Sequence, residues 1–208
     1  MIASLGYALL VVALLVSVFS IIAYLLGSRQ KNAGLLSSGR MGVLIGFALV
    51  TLSFGTLAVA LLTHHFEITY VAQHSSLETP VPYLISALWA GNEGSLLFWC
   101  WVLALCSVLV VLQSRKGERE LVSYASAILS AVTSFFLVLM VLVVNPFETQ
   151  NVVPANGAGL NPLLENPAMI SHPPLLLAGY AIFAVPFAFG IAALITRRLD
   201  DLWVIKSR

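Results

Sequence analysis

Residues 121–144 read LVSYASAILSAVTSFFLVLMVLVV, a continuous apolar run interrupted only by side chains that carry a hydroxyl. The run contains no Asp, Glu, Lys or Arg. A helix needs about 20 apolar residues to cross the roughly 30 Å of hydrocarbon in a bilayer. The stretch therefore predicts a membrane-spanning helix, and this prediction decides the fold class of the chain.

Four further apolar segments lie on either side of it, at residues 5–26, 41–63, 95–112 and 174–195. The whole chain is 60% hydrophobic and 9% charged, whereas about a quarter of the residues in a soluble domain are charged. Continuous apolar runs argue against a barrel, whose strands would alternate, and helices satisfy their own backbone groups in lipid. We predict an all-α membrane protein with about five transmembrane helices in a single membrane domain, residues 1–208.

Basic residues predict the orientation of these helices. All ten follow the first, third or fifth segment, and the connections at about 64–94 and 145–173 contain none. Because cytoplasmic loops carry the excess of Lys and Arg, we expect the N-terminus outside, the C-terminus in the cytoplasm and two long external loops. The ten residues are Arg29, Lys31, Arg40, Arg115, Lys116, Arg119, Arg197, Arg198, Lys206 and Arg208.

The external loops then hold most of the residues that could carry chemistry, including all four histidines. Cys100 and Cys106 lie within one span at a spacing that puts them on different faces of a helix, so we interpret them as small apolar core residues. The spans contain no carboxylate that would indicate an ion or proton relay. The chain also lacks a phosphate-binding loop and a catalytic triad pattern. Function is therefore expected on the outer face.

The first external loop ends in ALWAGNEGSLLFWCW, residues 87–101. Its glycines predict a tight turn at Gly91, after a short helix lying at the membrane surface, and Glu93 and Ser95 are candidate caps for the span that follows. Two interpretations of the tryptophans stay open. They are interfacial anchors, since Trp is enriched where membrane meets water, or they form an aromatic platform for a flat ligand.

The second external loop ends at His172, which precedes Pro173 and Pro174. A residue before proline is pushed away from helical geometry, and proline is favoured in the first turn of a helix. We therefore expect the fifth span to begin at Pro173 or Pro174, with His172 just outside it. The positive end of the helix would favour a neutral imidazole there, and a neutral imidazole can bind a metal. An ordinary interfacial histidine is the alternative.

Two stretches resemble a known family. Residues 159–195, GLNPLLENPAMISHPPLLLAGYAIFAVPFAFGIAALI, are similar to the CcmF/NrfE/CcsA group of cytochrome c maturation proteins. Residues 89–99, WAGNEGSLLFW, resemble the WGGxEGSLLxW stretch of that group, in the same order and spacing. The resemblance covers essentially the whole chain and is closest to the N-terminal portion of the CcmF branch. The second external histidine of the family and its Trp-rich WGxxWxWD segment do not occur in this sequence.

The resemblance implies haem chemistry at the outer face of a bacterial inner (plasma) membrane, in a multi-pass protein. In the family, haem b is held non-covalently for attachment to the CxxCH motif of apocytochrome c, and the histidine of HPPLL ligates the iron. It thus implies His172 as an axial ligand, with the second ligand outside this chain. The residues implied in haem binding are His172, Trp89, Trp99, Gly91, Glu93, Ser95, Pro173 and Pro174.

The resemblance further implies a haem-handling subunit or fragment of a haem lyase (holocytochrome c synthase) complex that is not active alone. The implied partners are haem, apocytochrome c, a haem chaperone, other maturation subunits, a separate C-terminal CcmF-like chain and the lipid bilayer, with no nucleic acid. Nothing in the chain resembles a general acid, a general base or a nucleophile. Two alternatives remain: a membrane scaffold subunit that does not bind haem, and a transporter or quinone-protein fragment.

Overall fold

The computed structural model describes residues 1–113 and 119–197, and within these ranges it is helical without a strand element. Five helical segments there are long and apolar enough to cross a membrane, and the fifth, Ala168–Thr196, consists of two consecutive helices. This confirms the predicted all-α class with five spans. The helices are α1 (Ile2–Gln30), α2 (Ala33–Leu62), α3 (Thr69–His74), α4 (Val81–Ser86), α5 (Asn92–Leu112), α6 (Arg119–Leu142), α7 (Ala168–Ile182) and α8 (Ala184–Thr196), with short 3-10 turns at Ala87–Trp89 and Pro162–Leu164.

The two faces of helix α1 indicate whether the bundle is surrounded by water or by lipid. Its buried residues recur every three or four positions and are mostly small or hydroxyl-bearing, among them Gly6, Ala13, Ser17 and Ser20. The opposite face is large and apolar, and there Leu15 is 64% exposed. A soluble helix places its large apolar side chains inside. The reversed arrangement fits helices that pack through small residues and face lipid.

Hydroxyl groups connect the spans inside the bundle. Ser17 of α1 donates a hydrogen bond to the backbone carbonyl of Ser130 in α6 at 3.0 Å. Ser134 donates to the Ser17 hydroxyl at 2.9 Å, and all three residues are buried. Helices α1 and α2 also approach closely, because a side chain on Gly42 would overlap the hydroxyl of Ser20. Small residues thus allow the helices to approach closely, and hydroxyl groups form specific hydrogen bonds between them.

Helix α2 begins earlier than the hydropathy suggested. The predicted span started at residue 41, whereas the helix starts at Ala33. The side chain of Asn32 accepts hydrogen bonds from the backbone N–H groups of Gly34 and Leu35 at 2.9 and 3.2 Å. This is an N-cap, which satisfies donors that the first helical turn leaves free. The polar stretch at residues 37–40, Ser-Ser-Gly-Arg, is therefore part of the helix.

The two long connections pack together at one end of the bundle. We call residues 63–91 and 143–167 the loop cap. The N–H of Thr69 donates to the carbonyl of Glu148 at 2.8 Å, and the N–H of Gln150 donates to the carbonyl of Glu67 at 3.0 Å. Long-range backbone bonds of this kind make the two predicted loops a single folded unit.

The loop cap lies at the opposite end of the bundle from the α1–α2 turn. That turn carries Arg29 and Lys31, and Arg197 follows the end of α8. The separation of charge agrees with the basis of the orientation prediction, while the orientation itself stays a prediction. The basic residues Arg115, Lys116, Arg198, Lys206 and Arg208 lie outside the described residues.

Candidate functional site

Helix α7 begins at Ala168, so the prediction that this span starts at Pro173 or Pro174 is wrong. The start signal is Asn166–Pro167. The Asn166 side chain accepts a hydrogen bond from the N–H of Ala168 at 2.9 Å, and Pro167 already has helical backbone angles, with φ −52. An asparagine before a proline combines a cap with a preset φ. The sequence contains two proline-based signals for a helix start, and the helix begins at the earlier one.

His172 therefore lies inside α7, in its second turn, and not just outside the helix as predicted. The electrostatic effect of a helix end is concentrated in its first turn. The predicted effect of the helix N-terminus on the His172 imidazole therefore loses its basis. Pro173 and Pro174 lie in the helix interior. Because proline has no N–H, the usual hydrogen bonds to the carbonyls of Met169 and Ile170 cannot form.

His172 belongs to an exposed apolar face of α7. The histidine is exposed, Leu175 and Leu176 beside it are 72% and 46% exposed, and a side chain built on Gly179 would meet no atom within 4 Å. Residues three, four and seven positions apart share one face of a helix. The imidazole therefore stands at the end of an apolar strip on the surface of α7.

The tryptophan of the first motif reaches this helix directly. The indole N–H of Trp89 donates a hydrogen bond to the carbonyl of Met169 at 2.9 Å. That carbonyl is one of the two that lose their helical donor to the prolines. Trp89 also packs edge-on against Phe98, with ring centroids 5.8 Å apart. The WAGNEGSLLFW stretch therefore contacts α7 at Met169, three residues before His172 of the HPPLL stretch.

Capping of α5 by Glu93 and Ser95 was predicted and is not observed. The N-cap is Gly91, without a side-chain cap hydrogen bond. Ser95 instead donates to the carbonyl of Trp89 at 2.9 Å, so its hydroxyl fixes the turn that precedes the helix. The predicted turn at Gly91 and the short helix before it are confirmed, since α4 and a 3-10 turn lead into the N-cap.

The glycines of this turn serve close contact and not an unusual backbone conformation. Gly91 has an extended backbone, with φ −115 and ψ 173, which other residues also adopt. A Cβ on Gly91 would lie 2.6 Å from Nε2 of His74 and 2.9 Å from Cε2 of Tyr70. A Cβ on Gly94 would overlap the Tyr70 hydroxyl and the carbonyl of Leu88. Close packing, and not the unusual backbone conformation predicted from the sequence, therefore requires glycine at these positions.

Tyr70 is the residue of this site that sequence reasoning missed. Its hydroxyl donates to the carbonyl of Ala87 at 2.7 Å and accepts from the N–H of Gly91 at 3.2 Å. Tyr70 is 3% exposed, and this burial raises the pKa of its hydroxyl well above the usual range, so the group remains a donor. Both hydrogen bonds are to backbone atoms that any residue provides, so the sequence carried no signal for them.

His74 contacts Tyr70 through its ring and through a hydrogen bond. The two rings stack with centroids 4.3 Å apart, and Nδ1–H of His74 donates to the carbonyl of Tyr70 at 2.9 Å. This bond fixes the proton on Nδ1 and turns Nε2 toward Gly91. Tyr70 and His74 therefore form one rigid pair under the turn that carries Trp89.

Trp99, also predicted to bind a ligand, packs between helices. Its ring lies 5.0 Å from Phe136 of α6 and 5.8 Å from Tyr180 of α7, measured between centroids. Trp89 and Trp99 thus contact α7 at two levels, one near its start and one near its end. Trp101 points elsewhere and donates to the hydroxyl of Thr51 in α2 at 3.1 Å.

The other histidines, His64 and His65, pack within the loop cap. Nδ1–H of His65 donates to the Glu67 carboxylate at 2.8 Å. Partial burial acts to raise the pKa of Glu67, but its backbone hydrogen bond and His65 outweigh this and lower it. His64 packs against Phe66, with centroids 5.7 Å apart. In residues 1–113 and 119–197 no group of three or more His, Cys, Asp or Glu side chains is placed to hold a metal ion.

A sequence model described as "Cytochrome C assembly protein" matches residues 89–207, more than half of the chain. The matched region begins at Trp89 and includes His172, the two residues around which the site is built. The chain belongs to the cytochrome c assembly protein family. The resemblance inferred from the WAGNEGSLLFW and HPPLL stretches is thereby confirmed.

Several relatives in the cytochrome c assembly family are similar over nearly the whole chain. The cytochrome c-type biogenesis protein CcmF of Haemophilus influenzae is 37% identical over 100% of this chain. CcmF of Escherichia coli is 35% identical over 100% of it, and NrfE of Haemophilus influenzae is 35% identical over 94%. The chain spans about a third of the length of these relatives, at 32%, 32% and 31% respectively.

A solved structure described as "Cytochrome c Heme Lyase CcmF" superimposes on the chain with a TM-score of 0.86 and 29% sequence identity. The match covers 100% of this chain and 32% of that one. The arrangement of helices described above is therefore that of the corresponding third of a cytochrome c assembly protein.

Proposed function

We propose that this chain acts in cytochrome c maturation as the part of a haem lyase assembly that holds haem b, non-covalently, at the outer face of the membrane. The observation that carries the proposal is the position of His172. Its imidazole is exposed at the end of an apolar strip with Leu175, Leu176 and the open side of Gly179. Haem needs an axial nitrogen and an apolar surface for its ring, and this strip offers both.

His172 is the proposed axial ligand of the haem iron. The 3-10 turn at Ala87–Trp89 and the first turns of α5 form the neighbouring wall, where Trp89 contacts α7 through Met169. Gly91, Glu93, Ser95 and Trp99 are the other proposed haem-binding residues of that wall. Pro173 and Pro174 belong to the site through the shape that they give to α7.

Haem is a substrate in this proposal, and the attachment forms thioether bonds as cysteine thiols of a CxxCH apocytochrome c add to its vinyl groups. The contribution of this chain is orientation, which counts for much when two large partners must meet. An axial imidazole also tunes the potential of the iron. The second axial ligand, the apocytochrome c, a haem chaperone and further maturation subunits, among them a C-terminal CcmF-like chain, are proposed as partners.

Haem binding to the full chain in lipid nanodiscs tests the proposal. Carbon monoxide occupies one axial position of ferrous haem, so the absorption spectrum reports on a single protein ligand. We expect an imidazole-ligated spectrum, and we expect His172→Ala to lower haem affinity by at least about tenfold, the scale of loss seen when even an indirect metal contact is removed. His65→Ala is the matched control, because that imidazole is already bonded to Glu67.

Equal haem affinity in wild type and His172→Ala would instead favour a scaffold subunit without haem contact. The exposed face of α7 and α8 gives that alternative a specific basis. Phe183 and Phe187 are 73% and 56% exposed there, which leaves large aromatic surfaces available for packing against a further membrane protein. Capture of partner spans with unchanged haem affinity in His172→Ala would establish this second function.

The proposed function also requires that the loop cap face outward. Leu163 is 86% exposed in the cap, so Leu163→Cys should react with a membrane-impermeant thiol reagent added to intact cells with a permeabilised outer membrane. Lys31→Cys, at the opposite end, should react only in inverted vesicles. Both variants are made with Cys100→Ala and Cys106→Ala, which remove the buried native thiols. The reverse pattern of labelling would refute an outward haem site.

A further inference from the structure

We infer that Trp89, held in place by Tyr70 and Ser95, is a positioning residue that sets the orientation of His172 through the Met169 carbonyl. The inference concerns which residues of the first loop control the second motif. Its consequence for haem rests on the proposed function. The mechanical link itself does not, because it is a property of the folded chain.

The link begins with the double proline. Pro173 and Pro174 withhold the N–H groups that would bond to the carbonyls of Met169 and Ile170. The first two turns of α7 are therefore joined by fewer backbone hydrogen bonds than in a regular helix. His172 lies in the second of these turns. Its direction depends on whatever else fixes the start of the helix.

Trp89 supplies such a restraint. Its indole N–H bonds to the carbonyl of Met169 at 2.9 Å in a part-buried contact, and backbone carbonyls that are shielded from water are seldom left without a donor. The indole has one N–H and no second donor. In this structure that donor is committed to the protein backbone and is not available to a ligand.

Trp89 is in turn fixed from both sides of its turn. The hydroxyl of Ser95 donates to the Trp89 carbonyl at 2.9 Å. The Tyr70 hydroxyl bonds to Ala87 before the tryptophan and to Gly91 after it, at 2.7 and 3.2 Å. The side chain of Trp89 thus projects from a segment tied at three backbone positions. Tyr70 acts on His172 only through this segment.

Amide hydrogen exchange of the full chain in nanodiscs, without haem, tests the link. We expect Trp89→Phe, which keeps an aromatic ring but loses the N–H, to speed exchange at residues 169–172 about fivefold, the effect of losing one ordinary hydrogen bond. Tyr70→Phe and Ser95→Ala should act in the same direction. Each should add little to Trp89→Phe in the double variant, since they act through the same contact.

Matched controls separate this effect from general loosening. Trp101→Phe removes an indole bond of similar length, to the hydroxyl of Thr51, from α5, the helix that follows the turn of Trp89. Tyr7→Phe removes a tyrosine bond to the Val141 carbonyl. Neither should change exchange at residues 169–172. The inference is overturned if Trp89→Phe leaves that exchange unchanged, or if Trp101→Phe changes it equally. Ser95→Ala is the mildest variant and keeps the test decisive should Tyr70→Phe unfold the turn.

The predicted effect of Trp89 on haem binding is measured separately, from the absorption spectrum and the rate of haem loss. If His172 ligates haem, Trp89→Phe should shift the carbon monoxide spectrum and speed haem loss, whereas Trp101→Phe should do neither. A wild-type chain without an imidazole-ligated spectrum would refute the proposed function and leave the exchange comparison intact. Faster exchange in Trp89→Phe with an unchanged haem spectrum would overturn the positioning role toward haem alone.

Discussion

The indole of Trp89 and the carbonyl of Met169 meet at 2.9 Å across 80 residues of sequence. Pro173 cannot supply the helical N–H that would otherwise compete for this carbonyl. A proline that weakens one helix thereby creates an acceptor for another part of the chain. The same residue that disrupts α7 locally thus connects it to the rest of the protein.

Restoring the missing donor should weaken this connection. Pro173→Ala provides an N–H that competes for the Met169 carbonyl, while it also removes a helix-interior proline that costs about 3 kcal/mol. We expect the indole proton of Trp89 to exchange faster, together with a more protected amide at residue 173, both observable by NMR of the chain labelled with ¹⁵N. Pro186→Ala, in α8, is the control. An indole proton that exchanges at the wild-type rate would contradict this account.

Adding a single methyl group at Gly91 should disturb the turn below Trp89. In Gly91→Ala the new carbon would lie 2.6 Å from Nε2 of His74, closer than atoms can approach. Both His74 and Tyr70 must then move, and overpacking of this kind costs about 1–3 kcal/mol. Denaturant unfolding in mixed micelles measures the loss.

The matched variant for that experiment is Gly55→Ala, whose added methyl would meet no atom within 4 Å. Because alanine is a better helix former than glycine, this change should be neutral or stabilising by up to about 1 kcal/mol. Equal destabilisation by the two variants would show that crowding at Gly91 is not the cause.

The serine contacts between α1 and α6 should be modest but measurable. Ser17→Ala removes its bond to the Ser130 carbonyl and the acceptor used by Ser134. Hydrogen bonds between membrane helices contribute about 0.6 kcal/mol on average and at most about 1.7. We expect a loss in this range in mixed-micelle unfolding, with a positive coupling between Ser17→Ala and Ser134→Ala in a double-mutant cycle. Ser38→Ala is the control, since that hydroxyl is exposed and bonds within its own helix.

The loop cap should show a specific response to acid at Glu78. The side-chain amide of Asn156 donates to the Glu78 carboxylate at 2.9 Å, and this bond holds the pKa of Glu78 below its usual value of 4.5. A carboxylate with a lowered folded-state pKa contributes its stabilisation fully above the unfolded value. That contribution is lost as the pH falls through the folded value. The sensitive window is therefore below pH 4.5.

Asn156→Ala should raise the pKa of Glu78 toward 4.5, as followed by NMR titration of the side-chain carboxyl carbon. Asn151→Ala, at an exposed position of the same loop, is the control and should leave the titration unchanged. If Asn156→Ala leaves the midpoint where it was, the hydrogen bond is not the cause of the shift.

The number and type of the helices could be predicted because a bilayer imposes long, uncharged and continuous spans. Helix starts were harder, since they depend on single polar residues. Asn32 begins α2 ahead of a stretch of Gly and Ser that appears too polar for a span. Asn166–Pro167 begins α7, although His172–Pro173–Pro174 offered an equally plausible signal a few residues later.

The candidate site was predictable in its parts but not in its connections. His172 and Trp89 stand out as unusual residue types near the ends of apolar runs. Tyr70 does not, because its partners are the backbone atoms of Ala87 and Gly91. The bond from Trp89 to Met169 depends on how two distant helices pack, which no local pattern specifies. Local chemistry identified candidate residues, and only the fold shows which of them are in contact.

The pairing of the two long loops also orders events during synthesis. Trp89 leaves the ribosome 80 residues before Met169, an interval of about 4–16 s at usual translation rates of about 5–20 residues per second. Two further spans must enter the membrane before its partner arrives. The contacts of Tyr70, His74 and Ser95 can form within that interval and order the turn around Gly91, so that α7 packs against a turn that is already in place.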